Sequence, residues 1–145
     1  MRIAVLNGPN LNLLGQREPE VYGRTTLAEI EALVRKAAVP LGVEIDWFQT
    51  NHEGEMVDAV QQLRGRVDGA LINAAALTHS SLALRDALLA VRVPFVELHL
   101  SNIFAREPER RQSVIADLAV GMITGFGAQS YLLALQALMS RLRGT

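Results

Sequence analysis

Apolar residues recur along the chain with two periods, one suited to strands and one to helices, that alternate from the first residues to the last. Ile3 to Leu6 is a short continuous apolar run ended by Asn7-Gly8-Pro9-Asn10, the pattern of a strand buried on both faces and stopped by turn residues. Thr26 and Glu29 have the spacing of a capping box. Leu27, Ile30, Leu33, Val34, Ala37, Ala38 and Leu41 then fall on one helical face until Pro40 and Gly42 end it. Val43, Ile45 and Trp47 alternate with Glu44 and Asp46, which predicts a second strand nearer the sheet edge. Met56, Val57, Val60 and Leu63 make the next helical stripe, closed by Gly65. Ala70 to Ile72 reads as a third strand, and Leu84, Ala87, Leu88 and Val91 as the stripe of a third helix. Phe95 to Leu100 is a fourth strand entered through Pro94. A shorter helical stretch between Glu109 and Leu118, a strand near Val120 to Thr124, and a last helix marked by Leu132, Leu135, Leu138, Met139 and Leu142 complete the series.

Strands alternating with amphipathic helices over short connections predict a parallel sheet wrapped on both sides by right-handed crossovers. Five such units fit an α/β, flavodoxin-like, doubly wound five-stranded parallel sheet with helices on both faces. No linker, repeat or low-complexity tract divides residues 1–145, so one domain carries whatever the chain does. In such sheets ligands bind outside the carboxyl ends of the strands, at the topological switch point. The three histidines, His52, His79 and His99, all fall in segments that follow or end predicted strands.

Composition narrows the chemistry. The formal charge is −1, with 14 basic and 15 acidic residues, and no basic run supplies the footprint a phosphate backbone requires, so nucleic acid is excluded as a partner. There is no cysteine, which removes thiol catalysis, disulfides and thiolate-held metals. Leu118 to Ser140 carries no formal charge and is long enough to cross a bilayer, yet Gly121, Gly125 and Gly127 and several polar residues interrupt it. It reads as a strand followed by a helix, with no membrane span. The N-terminus lacks the pattern of a secretory signal, which predicts a cytoplasmic protein.

Three segments could carry chemistry. Glu97 and His99 are two apart on the fourth strand, so both project from one face of an otherwise apolar strand. They read equally as a structural pair and as a general acid supported by a carboxylate, with the Ser101-Asn102 step just beyond offering donors to a substrate carboxylate. The long loop Asn7 to Gly23 holds Asn10, Asn12, Arg17 and Tyr22, with Arg24 following; a phenol works as a base only where cations favour its phenolate. The segment INAAALTHSSLALRD places Asn73, His79, Arg85 and Asp86 near the same edge. The stretch AREPERRQS (Arg106, Arg110, Arg111) suits anion or hydroxyl binding, or pairing with Glu107 and Glu109.

Several familiar sites are absent. GFGAQS is one residue short of GxGxxG and follows the last strand, there is no P-loop, and the histidines lack metal-ligand spacing. The single lysine, Lys36, falls on the solvent side of its helix, which removes a Schiff base. What remains is acid/base chemistry on a small polar molecule, with no cofactor and no metal. The competing class is a non-catalytic flavodoxin-like binding module.

The blocks NGPNLNLLGQREPEVYG, QTNHEGEMVDAVQ, INAAALTHSSLALRDAL, VELHLSNIFARE and GFGAQSYLLAL are collinear along nearly the whole chain, and together they resemble the type II 3-dehydroquinate dehydratases. The resemblance implies an anti elimination through an enolate, converting 3-dehydroquinate to 3-dehydroshikimate and water in the shikimate pathway. It implies that Tyr22 is the base that removes a C2 proton. Arg17 would favour the phenolate, Asn12 hold a water at the enolate oxygen, and His99, oriented by Glu97, donate a proton to the departing C1 hydroxyl. Asn73, Leu100 and Ser101 match substrate carboxylate and hydroxyl contacts, His79 and Arg110 match ring-hydroxyl contacts, and Asp86 matches a residue that reaches a neighbouring subunit's site. A homo-oligomer, a dodecamer built of trimers, is implied as well. The sequence departs from the family pattern at Phe104, Glu109 and Gln112, and at Ala74 and Ala75 where a Pro-Gly or similar pair is usual.

Overall fold

The computed structural model describes residues 1–16 and 18–145. Five strands, β1 (Arg2–Asn7), β2 (Glu44–Gln49), β3 (Gly69–Asn73), β4 (Phe95–His99) and β5 (Gly121–Thr124), form one all-parallel sheet in the order β2-β1-β3-β4-β5. The helices are α1 (Pro19–Tyr22), a single turn, followed by α2 (Leu27–Ala38), α3 (Glu53–Gln61), α4 (Leu82–Val91) and α5 (Gln129–Arg143). This strand order is the doubly wound, flavodoxin-like one, and its switch point lies between β1 and β3.

The period-two alternation sorts the strand residues into two cores. Ile3, Val5, Leu71, Val96 and Leu98 pack with Ile30, Val34, Ala38, Leu135 and Leu138 of α2 and α5. Ala4, Leu6, Ala70, Ile72 and Phe95 pack with Met56, Val60, Leu84 and Leu88 of α3 and α4 on the opposite face. Glu97 and His99 share the face of Phe95, so two ionisable side chains stand on the α3/α4 side of an interior strand. The sequence-predicted helix starts are present: Thr26 and Glu29 form the reciprocal capping box of α2, and the Ser81 Oγ accepts the Leu84 N–H at 3.0 Å.

Two details differ from the sequence pattern, the exposure of Leu33 and the β4 to β5 connection, and the uncharged run follows it. Leu33, placed on the buried stripe of α2, is 43% exposed, because it sits about 100° around the helix from Val34 and off the Ile30, Val34, Ala38 face. The uncharged run 118–140 is split by Gly125 and Gly127, both at positive φ, and no helix among the described residues is long and apolar enough to cross a membrane. The connection from β4 to β5 contains no α-helix. Three short 3₁₀ turns, Ile103–Ala105, Pro108–Arg110 and Ala116–Leu118, occupy it. Ser113 Oγ accepts the N–H groups of Ile115 and Ala116 at 3.2 and 3.0 Å, so a side chain takes donors that a continuing helix would use.

At the switch point the loops after β1 and β3 touch backbone to backbone. The Gly8 N–H donates to the Asn73 carbonyl at 2.8 Å, and a Cβ on Gly8 would lie 2.3 Å from the Ala74 carbonyl oxygen. Only glycine fits there. The next residue but one on the β3 side, Ala75, has φ +53°, a left-handed conformation that strains an L-residue. Ala75→Gly therefore stabilises the fold by about 0.5–1 kcal/mol, the left-handed penalty less the entropy that glycine adds to the unfolded chain. Urea unfolding should show a higher midpoint at unchanged slope; an equal or lower midpoint contradicts the strain.

Candidate active site

Side chains from β1, β3, β4 and two loops converge outside the switch point. A cleft of about 90 Å³ is lined by Pro9, Asn10, Leu11, Tyr22, Asn73, Ala75, Ala76, His79, His99, Leu100, Ser101, Ile103, Arg106 and Arg110. A larger hollow of about 420 Å³ lies against β2 and α3, but Asp46, Glu55, Asp58 and Arg66 are its only charged residues and no histidine or tyrosine enters it. Chemistry therefore points to the smaller cleft, narrowed by the Tyr22 and Arg106 side chains that meet in it.

His99 closes β4, and only 5% of it is exposed. Its Nε2 lies 2.5 Å from Glu97 Oε2, and the other carboxylate oxygen accepts the Ser113 hydroxyl at 2.8 Å. Glu97 is fully buried, so these two bonds are what satisfy its carboxyl oxygens on an interior strand. From the loop side comes Tyr22, at the end of the α1 turn. Arg106 Nη1 donates to its phenolic oxygen at 2.8 Å, and the guanidinium carbon lies 5.3 Å from the ring centroid. A fixed positive charge thus stands where a phenolate would form.

The floor of the cleft is a chain of directed hydrogen bonds. Asn7 Nδ2 donates to the Phe48 carbonyl at 3.0 Å, which turns Asn7 Oδ1 toward Tyr131; the Tyr131 hydroxyl donates to it at 2.6 Å. That hydroxyl in turn accepts Asn73 Nδ2 at 3.0 Å, while Asn73 Oδ1 accepts the Ala75 N–H at 3.3 Å. A backbone carbonyl on the edge strand thereby sets the orientation of a cleft-lining amide two strands away. At the mouth, His79 Nδ1 donates to the Gln112 carbonyl at 2.6 Å, which leaves Nε2 as the nitrogen not held by that bond. Arg110 pairs with Glu107. Thr124 Oγ1 and the Gly125 and Gly127 N–H groups bind the carbonyls of Ser101, His99 and Leu100, so GFGAQS braces the turn after β4.

Of the residues singled out in the sequence, Tyr22, Asn73, His79, His99, Leu100, Ser101 and Arg110 come together in the cleft, with Glu97 behind His99. Asn12 is exposed in the turn Leu11–Leu13 and Asp86 is exposed on α4; neither lines the cleft, whereas Asn10 does. Arg17 lies outside the described residues. Among the described residues no three His, Asp or Glu side chains gather where they could hold a metal ion. Arg106, Ser113, Tyr131 and Asn7 were not assigned site roles. Arg106 alone gave a signal, as one of several arginines in AREPERRQS.

A family model for dehydroquinase class II matches residues 1–139. The chain belongs to the class II dehydroquinase family. It is 57% identical over 143 residues to the 3-dehydroquinate dehydratase of Parasynechococcus marenigrum, covering 99% of this chain and 98% of that protein. The type II dehydroquinase crystal structures from Butyrivibrio crossotus and Propionibacterium acnes align with TM-scores of 0.92 and 0.91, at 38% and 40% identity. The first alignment covers 95% of this chain and 97% of its neighbour, the second 96% of each. Among the departures from the family pattern, Ala75 carries the left-handed strain described above, and those at Phe104, Glu109 and Gln112 are mild. Phe104 and Glu109 are exposed, and Gln112 reaches His79 through its backbone, which any residue supplies.

Burial raises the Tyr131 phenol well above its ordinary value near pH 10, and the bond from Asn73 opposes the rise only in part. The folded state thus favours the neutral phenol. Its contribution to stability is complete below about pH 10 and is lost as pH rises beyond that, where the unfolded chain gains by ionising. An alkaline titration should show Tyr131 phenolate absorbance only as the chain unfolds, and Tyr131→Phe should flatten that part of the stability profile. Phenolate absorbance from Tyr131 in folded protein contradicts the buried network.

Proposed function

We infer that this protein dehydrates 3-dehydroquinate to 3-dehydroshikimate and water, without a lysine imine and without a cofactor. The observation that carries the reading is the presence in one cleft of a phenol against a guanidinium, Tyr22 with Arg106, and an imidazole against a buried carboxylate, His99 with Glu97. Family membership and the activity named for the Parasynechococcus marenigrum relative support the substrate. Tyr22, as phenolate, takes a proton from C2, and the C–H pair moves into the ketone as an enolate. Its charge is met by Arg106 and, on the family resemblance, by Arg17 and a water on Asn12. His99 then protonates the C1 hydroxyl, the C1–O bond breaks, and water leaves. Asn73 and the backbone at Leu100 and Ser101 hold the carboxylate, and His79 Nε2 and Arg110 receive the ring hydroxyls.

The separation of base and acid is testable. Tyr22→Phe should abolish exchange of the C2 proton with deuterated solvent and lower turnover about 10²–10⁴-fold. His99→Gln should lower turnover to a similar extent and leave C2 exchange in place. Product is followed by the ultraviolet absorbance of its conjugated enone. No turnover by the unaltered protein would favour the non-catalytic binding module.

We also propose that the working form is an oligomer of trimers. Leu82, Asp86 and Leu89 lie at i, i+4 and i+7 along α4, one stripe of a single helix face, and the two leucines are 64% and 46% exposed. An exposed apolar stripe around a carboxylate suits burial against a neighbouring subunit, whose site Asp86 would then approach. Leu89→Glu should dissociate the assembly in sedimentation velocity and lower activity with it; an unchanged sedimentation coefficient rules out this face as the interface.

A further inference from the structure

Ser113 lies outside the cleft, in the irregular connection between β4 and β5, and nothing above gives it a part in the reaction. Its hydroxyl has one hydrogen and two acceptor sites. The Ile115 and Ala116 N–H groups, at 3.2 and 3.0 Å, occupy both acceptor sites. The hydrogen is therefore donated, and its acceptor is Glu97 Oε1 at 2.8 Å. Glu97 Oε2 is left to meet His99 Nε2 at 2.5 Å. Among the described residues no Arg or Lys pairs with Glu97. With Oε1 accepting from Ser113, Oε2 is the oxygen left to accept from His99, and that bond requires a proton on the nitrogen that faces it. The imidazole has one other nitrogen, Nδ1, and His99 lines the cleft.

We propose that Ser113 is a positioning residue: its forced donor bond holds Glu97 as a double acceptor, keeps the proton of neutral His99 on Nε2, and makes Nδ1 the atom that delivers the catalytic proton. This rests on the reading of His99 as the general acid. In the step itself the His99 Nδ1–H bond breaks and an O–H bond forms on the C1 hydroxyl. The C1–O bond breaks with its electron pair leaving on water. The enolate pair becomes the C1–C2 double bond as the ketone re-forms. His99 ends neutral with its hydrogen on Nε2, Tyr22 ends protonated, and solvent returns one proton from the phenol to the imidazole, so no other reactant is consumed.

The experiment compares Ser113→Ala, Ser113→Thr and His99→Gln for C2 exchange and for product formation in the same deuterated samples, and reads the His99 tautomer of the unaltered enzyme by ¹⁵N NMR. Expected are elimination slowed about 10- to 100-fold in S113A, a size typical of partners that orient an active group, with C2 exchange within about twofold of the parent. S113T, which keeps the hydroxyl, should recover most of the elimination rate. The neutral His99 ring should carry its hydrogen on Nε2. A general loss of packing would depress exchange and elimination together and would not be rescued by threonine, and that result overturns the proposal. A neutral ring protonated on Nδ1 overturns it too, whether or not S113A folds. H99Q separates the two readings. If H99Q does not part exchange from elimination, the acid assignment itself fails; if H99Q parts them and S113A does not, only the role of Ser113 fails.

Discussion

A fully buried carboxylate on an interior strand is the constraint around which this molecule is arranged. Moving Glu97 out of water costs several kcal/mol unless both of its oxygens find donors. One donor, His99, comes from the same strand two residues on, as the strand period dictates. The other has to come from elsewhere, and it comes from Ser113 in the connection that follows. The irregularity of that connection suits this task. A regular crossover helix would consume the Ile115 and Ala116 donors in its own ladder, whereas here they aim the serine hydroxyl at the carboxylate. The one place where the doubly wound pattern loses its helix is thus the place where the site's buried charge is satisfied.

Elements set by local period were legible in the chain, and those set by distant partners were not. The capping box at Thr26, the α4 stripe and the edge position of β2 are each encoded within a dozen residues, and each stands where the pattern puts it. The helical stretch expected between Glu109 and Leu118 shows the limit. Its apolar residues fit a helix, but Val114 donates to the Thr78 carbonyl and Arg85 grips Asp117 and the Val114 carbonyl, contacts that no window on that stretch can reveal. The site divides the same way. Glu97 and His99 announce themselves as neighbours, whereas Tyr131 meets Asn73 and Asn7 across 58 and 124 residues. In AREPERRQS three arginines face two glutamates, and only the fold shows that Arg110 takes Glu107 while Arg106 reaches back to Tyr22.

The close approach at the switch point explains how the cleft keeps its shape. Gly8 lets the turn after β1 lie directly on Ala74, and that places Asn7 and Asn73 on either side of the Tyr131 hydroxyl. Each amide is oriented by a partner that can act in only one sense: a backbone carbonyl accepts from Asn7, and a backbone N–H donates to Asn73. The phenol between them consequently has no choice of direction. A cleft with such a floor presents its hydrogen-bonding groups already aimed, and binding need not spend free energy on turning them.

An elimination carried out without covalent attachment needs a base and an acid held independently, and the two proposed for those roles, Tyr22 and His99, come from unrelated parts of the chain, the turn before α2 and the end of β4. The β4 to β5 connection supports both. Its first part sends Arg106 to Tyr22, and its later part sends Ser113 to Glu97 behind His99, with Arg111 Nε closing on the Arg106 carbonyl at 2.6 Å in between. Helices elsewhere in the fold shield the sheet and carry little of the chemistry; α2 even displays the single lysine to solvent. A change of length in the connection would therefore disturb the settings of Tyr22 and His99 together, although it contains neither of them.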